Sequence, residues 1–133
     1  QPRILQLTMS ISDPTTAYKM AAIENAPPLK IVRMLYQGCL RFLGQASEAY
    51  SSGDFPRFTE RVGKAEAIIS ELRCSLDSEA APEICHELEG LYLYTSSRMI
   101  QAIADQSDER VEEARSVVQT LLTAWNDLEM RPS

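Results

Sequence analysis

From Leu29 to Leu128 the apolar residues recur at helical spacing, interrupted at three short polar joints. Leu29, Val32, Leu35, Tyr36, Cys39, Phe42, Leu43, Ala46 and Tyr50 follow the i, i+3, i+4, i+7 rule, which gathers them on one face of a helix. Ser51-Ser52-Gly53-Asp54 supplies a stop, a turn and a new cap. A helix over 55–76 then carries Phe55, Phe58, Val62, Ala65, Ile69, Leu72 and Leu76 on one side. After the small, polar stretch from Asp77 to Ala81, Pro82 starts a helix with the stripe Ile84, Leu88, Leu91, Tyr92, Met99 and Ile103. Ser107-Asp108 caps the last helix, whose stripe is Val111, Ala114, Val117, Val118, Leu121, Leu122, Trp125 and Leu128. No stretch in the body of the chain alternates like a strand.

The first 28 residues read differently. Leu5, Leu7, Met9 and Ile11 alternate with polar residues over an extended arm of 1–13, a period that suits a segment lying against an apolar surface. Asp13-Pro14 opens a short helix of 14–24, and Pro27-Pro28 breaks it. The expected fold is therefore all-α. It is one domain spanning 1–133, an antiparallel four-helix bundle over 28–128 with an additional short N-terminal helix and an extended N-terminal arm.

Two helices carry more apolar residues than one buried face needs. Ile31, Met34 and Leu40 lie off the main stripe of the first long helix, and Leu93 and Ile100 off that of the third. Such a surplus predicts a second buried face or an exposed groove.

Composition and charge narrow the function. The chain has 133 residues, 44% hydrophobic and 24% charged, enough for one core. A net charge of −6 argues against a nucleic-acid binder, and no apolar run is long enough for membrane insertion. Acidic groups concentrate in 77–113, where ten face only Arg98 and Arg110, whereas basic groups prevail in 1–50. Cys39, Cys74 and Cys85 form neither a disulfide framework nor a zinc spacing, and reduced thiols suit the cytoplasm.

Chemistry finds little to work with. Glu83-Ile84-Cys85-His86 has the E-x-x-H spacing of di-iron bundles, but His86 is the only histidine and such centres need two. No nucleophile elbow or phosphate-binding glycine loop occurs, so no catalytic residue, metal ligand or cofactor is assigned. The chain reads as a binding protein, and one open reading is a helical-bundle adaptor for an amphipathic helix.

Several segments, in order, resemble the FliS-type flagellar secretion chaperones. They are Ala17-Tyr18-Lys19, Ala26-Pro27-Pro28, and the run from Met34-Leu35-Tyr36-Gln37-Gly38 to Leu43. Lys64-Ala65, Ile68 to Leu72, Ser75-Leu76-Asp77, Glu83-Ile84, Leu91 to Tyr94 with Arg98, and Ala124-Trp125 continue the likeness. The chain departs from the family at Pro27, where a serine or threonine is usual, and at Ala81-Pro82, which replace a glycine pair. The resemblance implies a cytoplasmic chaperone, monomeric or weakly dimeric, that binds the disordered C-terminal segment of flagellin and contacts the export gate. Tyr18, Leu29, Ile31, Val32, Met34, Leu35, Tyr36, Leu40, Tyr92 and Leu93 are the expected contact residues. The alternating arm is expected to cover that groove when no client is bound.

Overall fold

Short joints between long helices force each helix to run back along its predecessor. A computed structural model describes residues 29–77, 79 and 82–130 of the protein. It contains α1 (Leu29–Ser51), α2 (Phe55–Cys74), α3 (Pro82–Asp105) and α4 (Asp108–Met130). α1 packs on α2 and α4, and α3 on the same two, so the helices stand at the corners of a square with α1 diagonal to α3. The expected arm of 1–13 and helix of 14–24 lie outside the described residues, as do Tyr18 and the side chains of Leu29 and Leu128.

The buried positions explain the bundle. They include Val32, Tyr36, Cys39, Leu43 and Ala46 on α1, and Phe58, Val62, Ala65, Ile69 and Leu72 on α2. α3 contributes Cys85, Leu88, Tyr92, Thr95, Met99 and Ala102; α4 contributes Val111, Ala114, Val118, Leu121 and Trp125. In every helix this series steps alternately by three and four residues, and Ala49, Leu91, Val117, Leu122 and Ala124 are buried beside it. The alternation is the 3.5-residue period of a left-handed bundle with side chains of one helix seated between those of its neighbours.

One aromatic layer crosses the middle. Tyr36 on α1 and Tyr92 on α3 are fully buried, and their hydroxyls meet at 2.6 Å across the diagonal. The Trp125 ring stands edge-on to Tyr36, with centroids 5.4 Å apart and planes at 89°. This arrangement suits the ring quadrupoles and gives both phenols a hydrogen bond in an apolar interior. The polar Thr95 is satisfied locally, donating from Oγ1 to the Leu91 carbonyl at 2.7 Å.

The joints follow local chemistry. Gly53 takes φ 77°, which lets its N–H reach the Tyr50 carbonyl at 3.1 Å while that of Asp54 reaches Ala49 at 2.9 Å. This closes α1 with the two bonds of a left-handed helix terminus. Asp54 then opens α2, its carboxylate accepting from the Arg57 N–H at 3.2 Å, with Pro56 in the first turn. Tyr50 packs on Phe55 and Phe58 beneath the turn, at 5.7 and 5.4 Å between centroids.

α2 ends at Cys74, two residues short of the limit expected from the sequence. The Ser75 hydroxyl donates to the Leu72 carbonyl at 2.8 Å, and the Leu76 N–H turns to Arg73 at 3.3 Å instead of continuing the helix. Leu76 still packs against the core. At the last joint Gln106 adopts φ 50°, and the Ser107 N–H donates to Ala102 at 3.0 Å. The Asp108 carboxylate, read from sequence as part of a cap, accepts from the Ser47 hydroxyl at 2.7 Å and ties α4 to α1.

The two left-handed positions should respond oppositely to substitution. Gly53→Ala forces a β-carbon into a conformation L residues avoid and is expected to destabilise by about 1 kcal/mol. Gln106→Gly relieves the same strain and is expected to stabilise by about 0.5 kcal/mol, less than the strain removed because glycine frees the unfolded chain. Urea unfolding of both variants checks the pair; equal signs would contradict the assignment.

Candidate functional site

Because α2 folds back on α1 at Gly53, residue numbers on the facing surfaces reflect about that turn. Ile31 and Leu35 at the start of α1 therefore meet Glu71, Cys74 and Ser75 at the end of α2. Among the described residues these five line an open groove of about 450 Å³. Ile31 is 43% exposed and Met34, one helical turn along, is 50% exposed. Two large apolar side chains left this open beside a recess make this seam the candidate surface for an apolar partner.

Further along the seam Gly38 faces Ile68, whose Cδ1 would lie 3.6 Å from a β-carbon built on the glycine. Beyond it the half-buried Phe42 ring is ringed by cations. The guanidinium carbons of Arg41 and Arg61 lie 5.8 and 5.9 Å from its centroid, and the Lys64 ammonium lies at 5.8 Å.

The other half of the bundle is acidic and internally tied. Arg110 donates to both carboxylate oxygens of Glu113 at 2.8 Å, and Arg98 of α3 approaches the same group at 3.7 Å. The hydrogen bond from Arg110 holds the Glu113 carboxyl below its ordinary range. The uneven charge in the sequence thus becomes a division between helix pairs, with the basic cluster on the α1–α2 side.

The expected contact residues fall into separate places. Ile31 and Leu35 line the groove, Met34 adjoins it, and Leu40 is half-buried against the core. Leu93 is 49% exposed and shares α3 with Ile100 at 58%, so this apolar pair lies on the helix diagonal to the groove's α1 wall. Val32, Tyr36 and Tyr92 require correction as surface candidates. All three are fully enclosed at heptad positions, where they hold helices together and present no surface. Sequence reasoning missed Glu71, Cys74 and Ser75 as groove residues, although reflection about the Gly53 turn would have paired them with Ile31 and Leu35.

The thiols divide by burial. Cys74 is exposed at the groove, whereas Cys39 and Cys85 are buried, and all three are free. Burial pushes the Cys39 thiol from 9.0 up to about 12. His86 is exposed while Cys85 beside it is buried, so the adjacent pair points apart. Among the described residues no three histidine, cysteine or acidic side chains gather to hold a metal. No helix there is long and apolar enough to cross a membrane.

A four-helix scaffold that leaves an apolar recess on one seam belongs to the class of helical binding modules. Comparison with known proteins is more specific. The family model for flagellar protein FliS matches residues 11–132, and the chain belongs to that family, one of chaperones and not of enzymes. It is similar to the flagellar secretion chaperone FliS of Bacillus subtilis, at 32% identity over 88% of this chain and 86% of that protein. The FliS chaperone of Campylobacter jejuni is 34% identical over 81% and 83%, and that of Escherichia coli is 31% identical over 90% and 91%.

Thiol chemistry tests this placement. In the native protein a disulfide-exchange reagent should modify Cys74 alone, with Cys39 and Cys85 reacting only on unfolding. Between 9.0 and about 12 the unfolded chain releases the Cys39 proton that the folded chain keeps, so this group lowers stability as pH rises. The stability gap between wild type and Cys39→Ala is accordingly expected to shrink by up to about 2 kcal/mol between pH 8 and 10.5. A gap independent of pH would show that Cys39 titrates normally.

Proposed function

We propose that the protein holds the disordered C-terminal segment of flagellin in the cytoplasm, keeps it from polymerising, and aids its delivery to the export apparatus. Support comes from the family, whose relatives are named flagellar secretion chaperones. The observation that carries the reading is the exposed Ile31 and Met34 beside the α1–α2 groove. A disordered, apolar-patterned client gains a folded partner by laying a short helix into such a recess. While bound, the segment cannot join a growing filament.

Ile31, Met34, Leu35 and Leu40 form the proposed contact set on α1, and Leu93 a second contact on α3 if the client wraps from one helix to the other. Tyr18 and Leu29 are proposed to extend the surface at its N-terminal side. Val32, Tyr36 and Tyr92 shape it from below by fixing the rotation of α1 and α3. The thioether of Met34 adapts to irregular apolar surfaces, which suits a client without fixed structure. Contact with an export-gate component is part of the same proposal. No nucleotide is required, because folding of the client on the surface supplies the free energy.

Calorimetric titration with the C-terminal peptide of the flagellin from the same organism is expected to give saturable one-to-one binding with a negative heat-capacity change. Met34→Asp, at a half-exposed position that the fold tolerates, is expected to weaken it at least about tenfold. A bulky maleimide on Cys74 should also hinder binding, and Cys74→Ser should remove that sensitivity. A folded protein that ignores the peptide would return the chain to the reading of an adaptor for an unrelated helix.

A further inference from the structure

We propose that Arg41, Arg61 and Lys64 around Phe42 form a carboxylate-docking subsite continuous with the apolar groove, so that the client helix is recognised by an acidic group about two turns beyond its apolar anchors. The proposal rests on the flagellin reading above.

The cluster is unusual in what it lacks. Three cationic groups lie within 5.9 Å of one ring centroid, yet among the described residues no carboxylate is within ion-pair distance of Arg41 or Lys64. Arg61 alone has a carboxylate, its Nε lying 3.1 Å from Glu60 in an ion pair too misaligned to be a hydrogen bond. The ring face attracts each cation, worth about 0.5–1 kcal/mol at exposed sites, while the three like charges repel one another. A carboxylate seated among them would relieve the repulsion and take up guanidinium donors that fit it in planar, paired geometry. The rest of the protein does not lack acidic groups: the chain carries −6 overall, and ten of its 19 acidic residues lie on α3 and α4.

Position along the seam selects the ligand. Leu35 and Phe42 are seven residues apart on one face of α1, about 10 Å or two helical turns. Gly38 between them has no side chain of its own, and a β-carbon there would lie 3.6 Å from Ile68 Cδ1 and 3.7 Å from the Arg41 guanidinium, so the cations already reach toward the groove. A helix with apolar residues over Ile31 and Leu35 therefore reaches the cations with a residue two turns on. Continuity with an apolar groove favours a peptide over a phosphate polymer, which the net negative charge would repel. The shared chemistry is a carboxylate, from an aspartate or glutamate side chain or from the client's own C-terminus.

The test titrates the flagellin C-terminal peptide into wild type, the Arg41→Gln/Lys64→Gln double variant and Met34→Asp, at 50 and 500 mM NaCl. Wild type is expected to bind more weakly at high salt. The double variant is expected to lose about fivefold to tenfold at low salt and most of the salt dependence. Met34→Asp should lose affinity at both salt concentrations. Amidating the peptide's C-terminus, and changing its acidic residues singly to amides, identifies which carboxylate is read. Arg41 and Lys64 are exposed, so circular dichroism should show folded variants; Lys64→Gln alone serves if the double variant does not fold. Wild-type affinity and salt slope in the variants would overturn the subsite and leave the flagellin reading intact. No binding by wild type would overturn both. Salt-sensitive self-association abolished by the same substitutions, with unchanged peptide binding, would assign the cluster to a second copy of the chain and overturn the proposal.

Discussion

Everything in this structure hangs on the three-four alternation of buried residues shared by all four helices. A period of 3.5 keeps one face of each helix turned inward along its whole length, with Leu91, Val117 and Leu122 widening it, and leaves Ile31, Met34, Leu93 and Ile100 exposed. Tyr36, Tyr92 and Trp125 fill the same central layer and fix the rotation of α1 against α3 and α4 through one hydrogen bond and one edge-to-face contact. Rotation of α1 decides where Ile31, Met34 and Leu35 point. The core therefore positions the surface.

That surface is built at a hairpin. The turn at Gly53 and Asp54 sets the register between α1 and α2, and the early end of α2 at Cys74 leaves the first turn of α1 partly uncovered. The groove lies where the two effects meet. An apolar recess formed by the ends of two helices, next to a basic rim formed by their middles, can take hold of an extended or nascent helical client along its length. The acidic α3–α4 half keeps the protein strongly negative, which favours solubility for a chaperone that must expose apolar surface.

Helix boundaries, their order and most of the core were legible in the sequence, because periodicity and the Gly53, Pro82 and Asp108 joints are local signals. The surplus of Ile31, Met34, Leu40, Leu93 and Ile100 was legible too, but spacing allowed a second buried face as well as an exposed groove, and packing exposes four of them while half-burying Leu40. The end of α2 was not, because the Ser75 hydroxyl competes with the backbone for the Leu72 carbonyl and periodicity cannot register that competition.

The sequence by itself determined four long helices, their amphipathic faces and a family resemblance running along nearly the whole chain. Tertiary structure decided which of the candidate residues are surface. Val32, Tyr36 and Tyr92 lie on the apolar stripes already visible in the sequence, and packing in the square closes those stripes completely. It also decided that Arg41, Arg61 and Lys64 converge on Phe42, and that Cys74 joins Ile31 in one groove. Residues 19 to 43 positions apart become neighbours by the packing of two helices. Periodicity reports which side of a helix a residue occupies; which partner it meets there depends on how the helices are set against one another.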